Sequence, residues 1–321
     1  AKICALVARR GANGLRALKD ARLFDMVGDA LRAAMCVGFD GERGDKRLRV
    51  LTDILDLALR SDEAAADARR VVGRIVASLD AGRSASEMRA AMWNLILLSP
   101  IDADASRMVT IRVIREHGVI DVALRAMCAG GALGNTRVLK SRAMLLLKGQ
   151  CCVPLGMRVL LFELRGLPLI LKELDAMPLG SAEAQIFLRA LSSFSISELH
   201  AARDALIELD ALRHWARVLA LGPADAGYSC CAIGFHLFVT CGGEAHRAAA
   251  RRSAALQHMM SWLASGRARD ERHFALCGWF AKERCCRQVL QQFVSGLGTD
   301  RAVKDLCKCI RHAIVRTDHE C

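Results

Sequence analysis

The sequence predicts an all-α fold, an α-solenoid of about six three-helix units, and three observations carry that expectation. The apolar fraction is 53% but aromatics make up only 5%, so the core must come from Leu, Ala, Val, Ile and Met, which mostly favour helix. Strand signals are scarce, with one Tyr, few Thr and five prolines. The third observation is a repeat: DALRHWARVLALG (Asp210 to Gly222) lies over AALQHMMSWLASG (Ala254 to Gly266) without a gap, at an offset of 44 residues.

Taken in chain order, weak echoes of this run occur at Leu23 in RLFDMVGDAL and Val71 in RRVVGRIVASL, and clearer ones at Ile120 in GVIDVALRAM and Leu167 in GLPLILKEL. From Ile120 through Leu167 and Leu212 to Leu256 the steps are 47, 45 and 44 residues, and a last echo falls at Val303 in RAVKDLCKCI. Each run is followed by a turn-like stretch and a second helical run, with Leu95, Leu147, Leu191, Leu237 and Trp279 at equivalent points. A third amphipathic stretch, such as SELHAARDALIELD with Ser197 as N-cap, completes a unit. Units of this size and make-up bury their apolar faces only against their neighbours.

The phrases GVIDVALRAM and GLPLILKEL resemble the second helix of the armadillo family, which runs Gly, Ile, Pro and then Leu-rich, and AAMWNLILLS resembles its third. The resemblance extends over nearly the whole chain and implies a right-handed superhelix whose third helices line a concave groove. In the nuclear-import members of that family a Trp, and an Asn four residues later, hold an extended peptide backbone. The Trp position is taken here by Trp93, Leu145, Arg189, Phe235 and Cys277, and the Asn position by Leu97, Gly149, Ser193, Val239 and Ala281. Only Trp93 matches, so binding of nuclear localisation signals is not implied. One turn earlier stand Arg89, Ser141, Gln185, Cys231 and His273, none of them acidic. Such a groove suits an acidic or amphipathic peptide or helix, with Arg89, Trp93, Gln185, Arg189 and Phe235 as the partner-binding residues. Leu97, Leu145, Phe235 and Val239 would equally be accounted for by burial between helix layers.

The net charge of +12 favours acidic partners, nucleic acid or anionic surfaces without choosing among them. The densest basic cluster is Arg137, Lys140, Arg142, Lys148, Arg158 and Arg165, opposed only by Glu163. It supports the alternative function, a basic helical repeat that associates with nucleic acid through phosphate contacts, although no exposed aromatic is expected among these residues to stack on bases. The leading expectation is a non-enzymatic scaffold for a protein partner: no GxSxG, P-loop, HExxH or dinucleotide-binding context is present.

The 14 cysteines are too sparse for a disulfide framework, and Cys128, Cys241 and Cys277 sit in apolar helical runs as buried thiols would. Cys307, Cys309, His312, His319 and Cys321 include enough metal-ligand types for zinc, but Cys307 and Cys309, two apart on a helix, point to different faces. No metal and no cofactor is therefore expected. The most apolar window, Ala143 to Phe162, contains Lys148, Gln150, Pro154 and Arg158 and is a poor membrane span, and the first 20 residues lack a secretory core. The expectation is one helical-repeat domain over 1–321, cytoplasmic or nuclear. Because it begins with Ala, it is open to being a fragment of a longer chain.

Overall fold

The structure is a computed structural model that describes residues 11–20, 22–36, 42–62, 64–79, 85–98, 108–128, 136–151, 154–197, 199–267, 270–296 and 298–319. Among the described residues there are nineteen α-helices, one π-helical turn and no strand. The chain divides into two compact units, Ala1–Leu169 and Ile170–Cys321. The first holds α1 (Ala12–Asp20), α2 (Leu23–Cys36), α3 (Glu42–Leu59), α4 (Ala65–Ala77), α5 (Ala85–Leu98), α6 (Met108–Glu116), α7 (Val119–Cys128), α8 (Thr136–Cys151), α9 (Pro154–Arg158) and the π-turn Val159–Glu163. The boundary falls within α10 (Gly166–Asp175). The second holds α11 (Ala182–Ile196), α12 (His200–Glu208), α13 (Leu212–Leu221), α14 (Tyr228–Thr240), α15 (Glu244–Arg252), α16 (Ala254–Ala264), α17 (Glu271–Trp279), α18 (Arg284–Ser295) and α19 (Asp300–His319).

The repeat is written in the burial pattern. Ile120, Leu167, Leu212 and Leu256 are all buried within the first three residues of α7, α10, α13 and α16. At the expected steps of 47, 45 and 44, buried residues overlie one another, as in Leu124, Leu171, Ala216 and Met260 or Met127, Leu174, Leu219 and Leu263. The backbone repeats with it. Gly118, Arg165 and Asp210, each immediately before one of these helices or separated from it by one residue, have φ of +74°, +46° and +51°. A left-handed residue turns the chain sharply into the next helix, and only at Gly118 does the side chain make this free of strain.

Polar contacts between helices recur at the same separations. Arg69 pairs with Glu116, 47 residues on; Tyr228 bonds His273, 45 on; and the Trp262 Nε1–H donates to the Leu219 carbonyl across 43. Each unit is thus tied to neighbouring helices one repeat away. In the first, α2 packs on α5 and α5 on α8; in the second, α11 packs on α14, α13 on α16 and α16 on α18, while α17 packs on α19.

Side-chain caps start several helices. Ser181 Oγ accepts from the Ala184 N–H at 3.1 Å, and Asp270 Oδ1 accepts from the Arg272 and His273 N–H groups at 3.0 and 3.3 Å. Ser197 does not cap α12 as the sequence suggested: its hydroxyl accepts from the Leu199 N–H at 3.2 Å, forming a turn ahead of a helix that begins at His200. Two echoes also differ. Val71 lies in the middle of α4, and Val303 is 41% exposed on α19, because α18 and not α19 lies beside α16. Cys277 is buried, but Cys128 and Cys241 lie at helix ends and are exposed. No described helix is long and apolar enough to cross a membrane.

Candidate functional site

In the first unit Arg89 and Trp93 lie one turn apart on α5 and are both half-buried. The Arg142 guanidinium, from α8, stands over the Trp93 ring at 5.3 Å and donates from Nη1 to the Arg89 carbonyl at 2.8 Å. The indole face and a backbone oxygen together hold one cation at the surface beside the half-exposed Arg89 side chain, which has no carboxylate partner among the described residues. Two of the expected groove residues are thereby joined to one member of the basic cluster.

The rest of that cluster does not form one face. Lys140 and Arg142 lie about 160° apart around α8, Lys148 is half-buried, and Arg158 and Arg165 are exposed beyond it. The Arg137 side chain lies outside the described residues. Against the sequence expectation, an exposed aromatic does stand among the cations: Phe162, in the π-turn between Arg158 and Arg165, is 58% exposed.

In the second unit Gln185 is half-buried, with its amide 3.4 Å from the Gly180 carbonyl, and Arg189 is exposed one turn along α11. Phe235 is not an exposed anchor. It is fully buried in α14 with Cys231 and Val239, the two neighbours expected on its face. The burial patterns of α11 and α14 superimpose at an offset of 44 residues, which pairs Leu191 with Phe235 and Arg189 with the 38% exposed Ile233. The sequence alignment instead matched Leu191 to the half-buried Leu237, an error of two residues that turned a core ring outward.

Two polar clusters were not anticipated. His273 is fully buried between partners: its Nε2 lies 2.7 Å from Tyr228 Oη and its Nδ1 2.6 Å from Asp270 Oδ1. In the neutral tautomer that carries its proton on Nδ1 and donates it to the carboxylate, Nε2 accepts from the phenol. Burial would raise the Asp270 pKa, but the bonds from His273 and the charge of Arg272 outweigh it and hold the carboxyl at about 2. Burial, and next the Asp270 charge, push the Tyr228 phenol up.

The second cluster gathers Cys277 from α17, Cys286 from α18 and Cys309 from α19, all buried. Sharing hydrogen bonds with Cys286 and then Cys309 draws the Cys277 thiol down, and the same sharing, with burial, pushes the other two up. Cys309 therefore faces Cys277, whereas Cys307 is exposed on the opposite side. Cys321 and the side chain of His319 lie outside the described residues. No group of three or more His, Cys, Asp or Glu among the described residues is arranged to hold a metal ion.

Between α16 and α18 runs an open groove of about 970 Å³ with Gln257, Gln288, Gln291 and Gln292 on its walls and Arg284 at one end. Its signal in the sequence is RCCRQVLQQFVS, whose amides recur at helical spacing.

No protein-family model and no curated protein matches the chain. Among solved structures it is similar to the crystal structure of an engineered protein from a structural genomics consortium, at 14% identity and a TM-score of 0.59, covering 97% of this chain and 72% of that one. At that identity the likeness extends to the fold alone, and the chain stands as an all-helical, repeat-like protein.

Proposed function

We propose that the protein is a non-enzymatic interaction scaffold, an armadillo-like α-solenoid that docks an acidic or amphipathic segment of a partner protein on the surface carrying Arg89, Trp93 and Arg142. The observation that supports it is the Arg142 cation stacked on Trp93 and bonded to the Arg89 carbonyl, which places a partly exposed aromatic and two guanidinium groups on neighbouring helices. Aromatic and Arg side chains are the groups that most often dominate binding energy, and guanidinium matches carboxylate in geometry and charge. Within the second unit, Gln185 and Arg189 on α11 carry polar and cationic groups of the same kind.

Affinity capture from lysate, with bound proteins identified by mass spectrometry and the recovered partner titrated against Trp93→Ala and Arg142→Glu, tests this. Truncating Trp93 is expected to cost on the order of 2 kcal/mol of binding. Charge reversal at Arg142 should slow encounter, more at low salt than at high. Equal affinity of the folded variants and the wild type would defeat the proposal.

The exposed Phe162 between Arg158 and Arg165 supports a second reading, association with single-stranded nucleic acid. Its signature is an affinity for labelled oligonucleotide that falls log-linearly and steeply with salt and weakens on Phe162→Ala.

A further inference from the structure

The last helix buries one side against α17 and α18 and leaves another open. Along the open side Val303, Cys307 and Ile310 follow one another at spacings of four and three residues, with Val303 41% and Ile310 48% exposed. Beside this apolar strip Arg301, Lys304, Lys308 and Arg311 form a second one, at spacings of three, four and three. Arg301, Lys304 and Arg311 have no carboxylate partner among the described residues; Lys308 lies over the Phe274 ring at 4.9 Å and reaches Asp305 at 3.6 Å. Asp305 is itself only 4% exposed, so its carboxylate is not presented on this surface. The result is about two helical turns, roughly 10 Å, of apolar ridge, flanked on one side by cations spread over roughly 15 Å.

We infer that this face of α19 is a docking site for an acidic amphipathic helix of a partner protein. An apolar ridge that follows a helix axis is matched by the a/d-type stripe of a second helix, and one-sided cations require carboxylates on one flank of that stripe. The charge selects against other occupants. A second copy paired antiparallel by a two-fold axis would set four cations against four, and a parallel copy would offer the cations no carboxylate flank. A bilayer surface would ask for the bulky Leu, Phe or Trp side chains that anchor interfacial helices, and the exposed ridge offers only Val, Cys and Ile. A nucleic-acid backbone would use the cations but gain nothing from the ridge. The site is separate from the Arg89, Trp93 and Arg142 surface, which belongs to the first unit.

The test uses the full chain and a fluorescein-labelled synthetic helical peptide of about 18 residues, with Leu on one stripe and Glu along one flank of it, in anisotropy titrations at about 50 and about 300 mM salt. Lys304→Glu/Arg311→Glu is expected to raise Kd at least about tenfold at the lower salt and to flatten the salt dependence. Val303→Ser/Ile310→Ser should raise Kd about fivefold and leave the salt dependence in place. A rise in Kd with Trp93→Ala and none with Lys304→Glu/Arg311→Glu would place the peptide on the surface of the proposed function and overturn this site alone, which separates the two failures. Three results overturn the inference: no saturable binding by the wild type, equal binding of a peptide of the same composition with the stripe scrambled, or a Kd within twofold of wild type for the charge-reversed variant. Binding of phosphatidylserine-containing vesicles or of a DNA duplex more tightly than the peptide, with the same dependence on Lys304 and Arg311, would assign the face to that partner and overturn it as well.

Discussion

Replacing Tyr228 by Phe removes one oxygen from a buried chain of hydrogen bonds and leaves the ring in place. The phenol is 4% exposed, and its Oη lies 2.7 Å from the Nε2 of a His273 that no solvent reaches. The other ring nitrogen is committed to Asp270 Oδ1 at 2.6 Å, so without the hydroxyl Nε2 has nothing to accept from. A buried acceptor left unpaired costs about 1–3 kcal/mol, and the lost area is negligible, so the loss should fall within that range. Urea unfolding followed by tryptophan fluorescence is the assay, since Trp215, Trp262 and Trp279 all belong to the second unit. Asp270→Asn keeps an N-capping side chain while removing the charge, so the pair forms a double-mutant cycle. Coupling of at least about 0.5 kcal/mol is expected. A Tyr228→Phe loss below about 0.3 kcal/mol, or additivity to that level, would refute the account of the three residues as one bonded chain.

Three further outcomes are expected. Asp270 has its pKa depressed to about 2 from an unfolded value near 3.9, so its contribution is present above about pH 4 and lost as pH falls towards 2. With 42% of the side chain exposed, solvent screening limits it to about 1 kcal/mol, to be read as a smaller acid-side loss of stability in Asp270→Asn. Gly234→Ala would place a Cβ 2.5 Å from Ser192 Oγ and 2.9 Å from the Trp215 ring, prising α14 from α11 and α13 at a cost of about 1–3 kcal/mol in the same urea titration. Arg165→Gly relieves a left-handed residue whose side chain is exposed, and should raise stability by about 0.5–1 kcal/mol, seen as a higher Tm.

How far the sequence could be trusted follows from what each kind of helix presents to its neighbours. The runs that begin near Ile120, Leu167, Leu212 and Leu256 are amphipathic, so apolar spacing alone set their register, and the structure keeps the steps of 47, 45 and 44. The helices that follow them are covered on more than one side. In α14, YSCCAIGFHLFVT, apolar residues occur almost all round, and the amphipathic period that would place Phe235 inside and Ile233 outside is weak. Aligning on Leu237 was then as plausible as the true match, and a slip of two residues moved a core phenylalanine onto the candidate surface. In α5 and α8 the same alignment held, and there Trp93 meets Arg142, a contact between helices 53 residues apart through the Arg89 carbonyl that spacing could suggest only once the register was right.

The clusters that escaped notice have a common cause. Tyr228 lies a repeat away from the closely spaced Asp270 and His273, and Cys277, Cys286 and Cys309 come from three helices, so neither set is complete within a short spacing. Cys309 was instead grouped with Cys307 and His312, its neighbours in sequence, although two positions along a helix already turn Cys307 away from it. In a repeat protein the spatial neighbour of a residue lies about one period away, as the separation of 45 between Tyr228 and His273 shows. A search for chemistry in such a chain therefore gains more from comparing positions one period apart, in the register set by burial, than from scanning for compact motifs. Applied to α11 and α14, that rule replaces Phe235 by Ile233 beside Arg189 and changes the expected anchor from a large aromatic to a half-exposed aliphatic side chain. The second unit then offers less apolar surface for a partner than the sequence promised, and the Trp93 surface of the first becomes the stronger place to look for one.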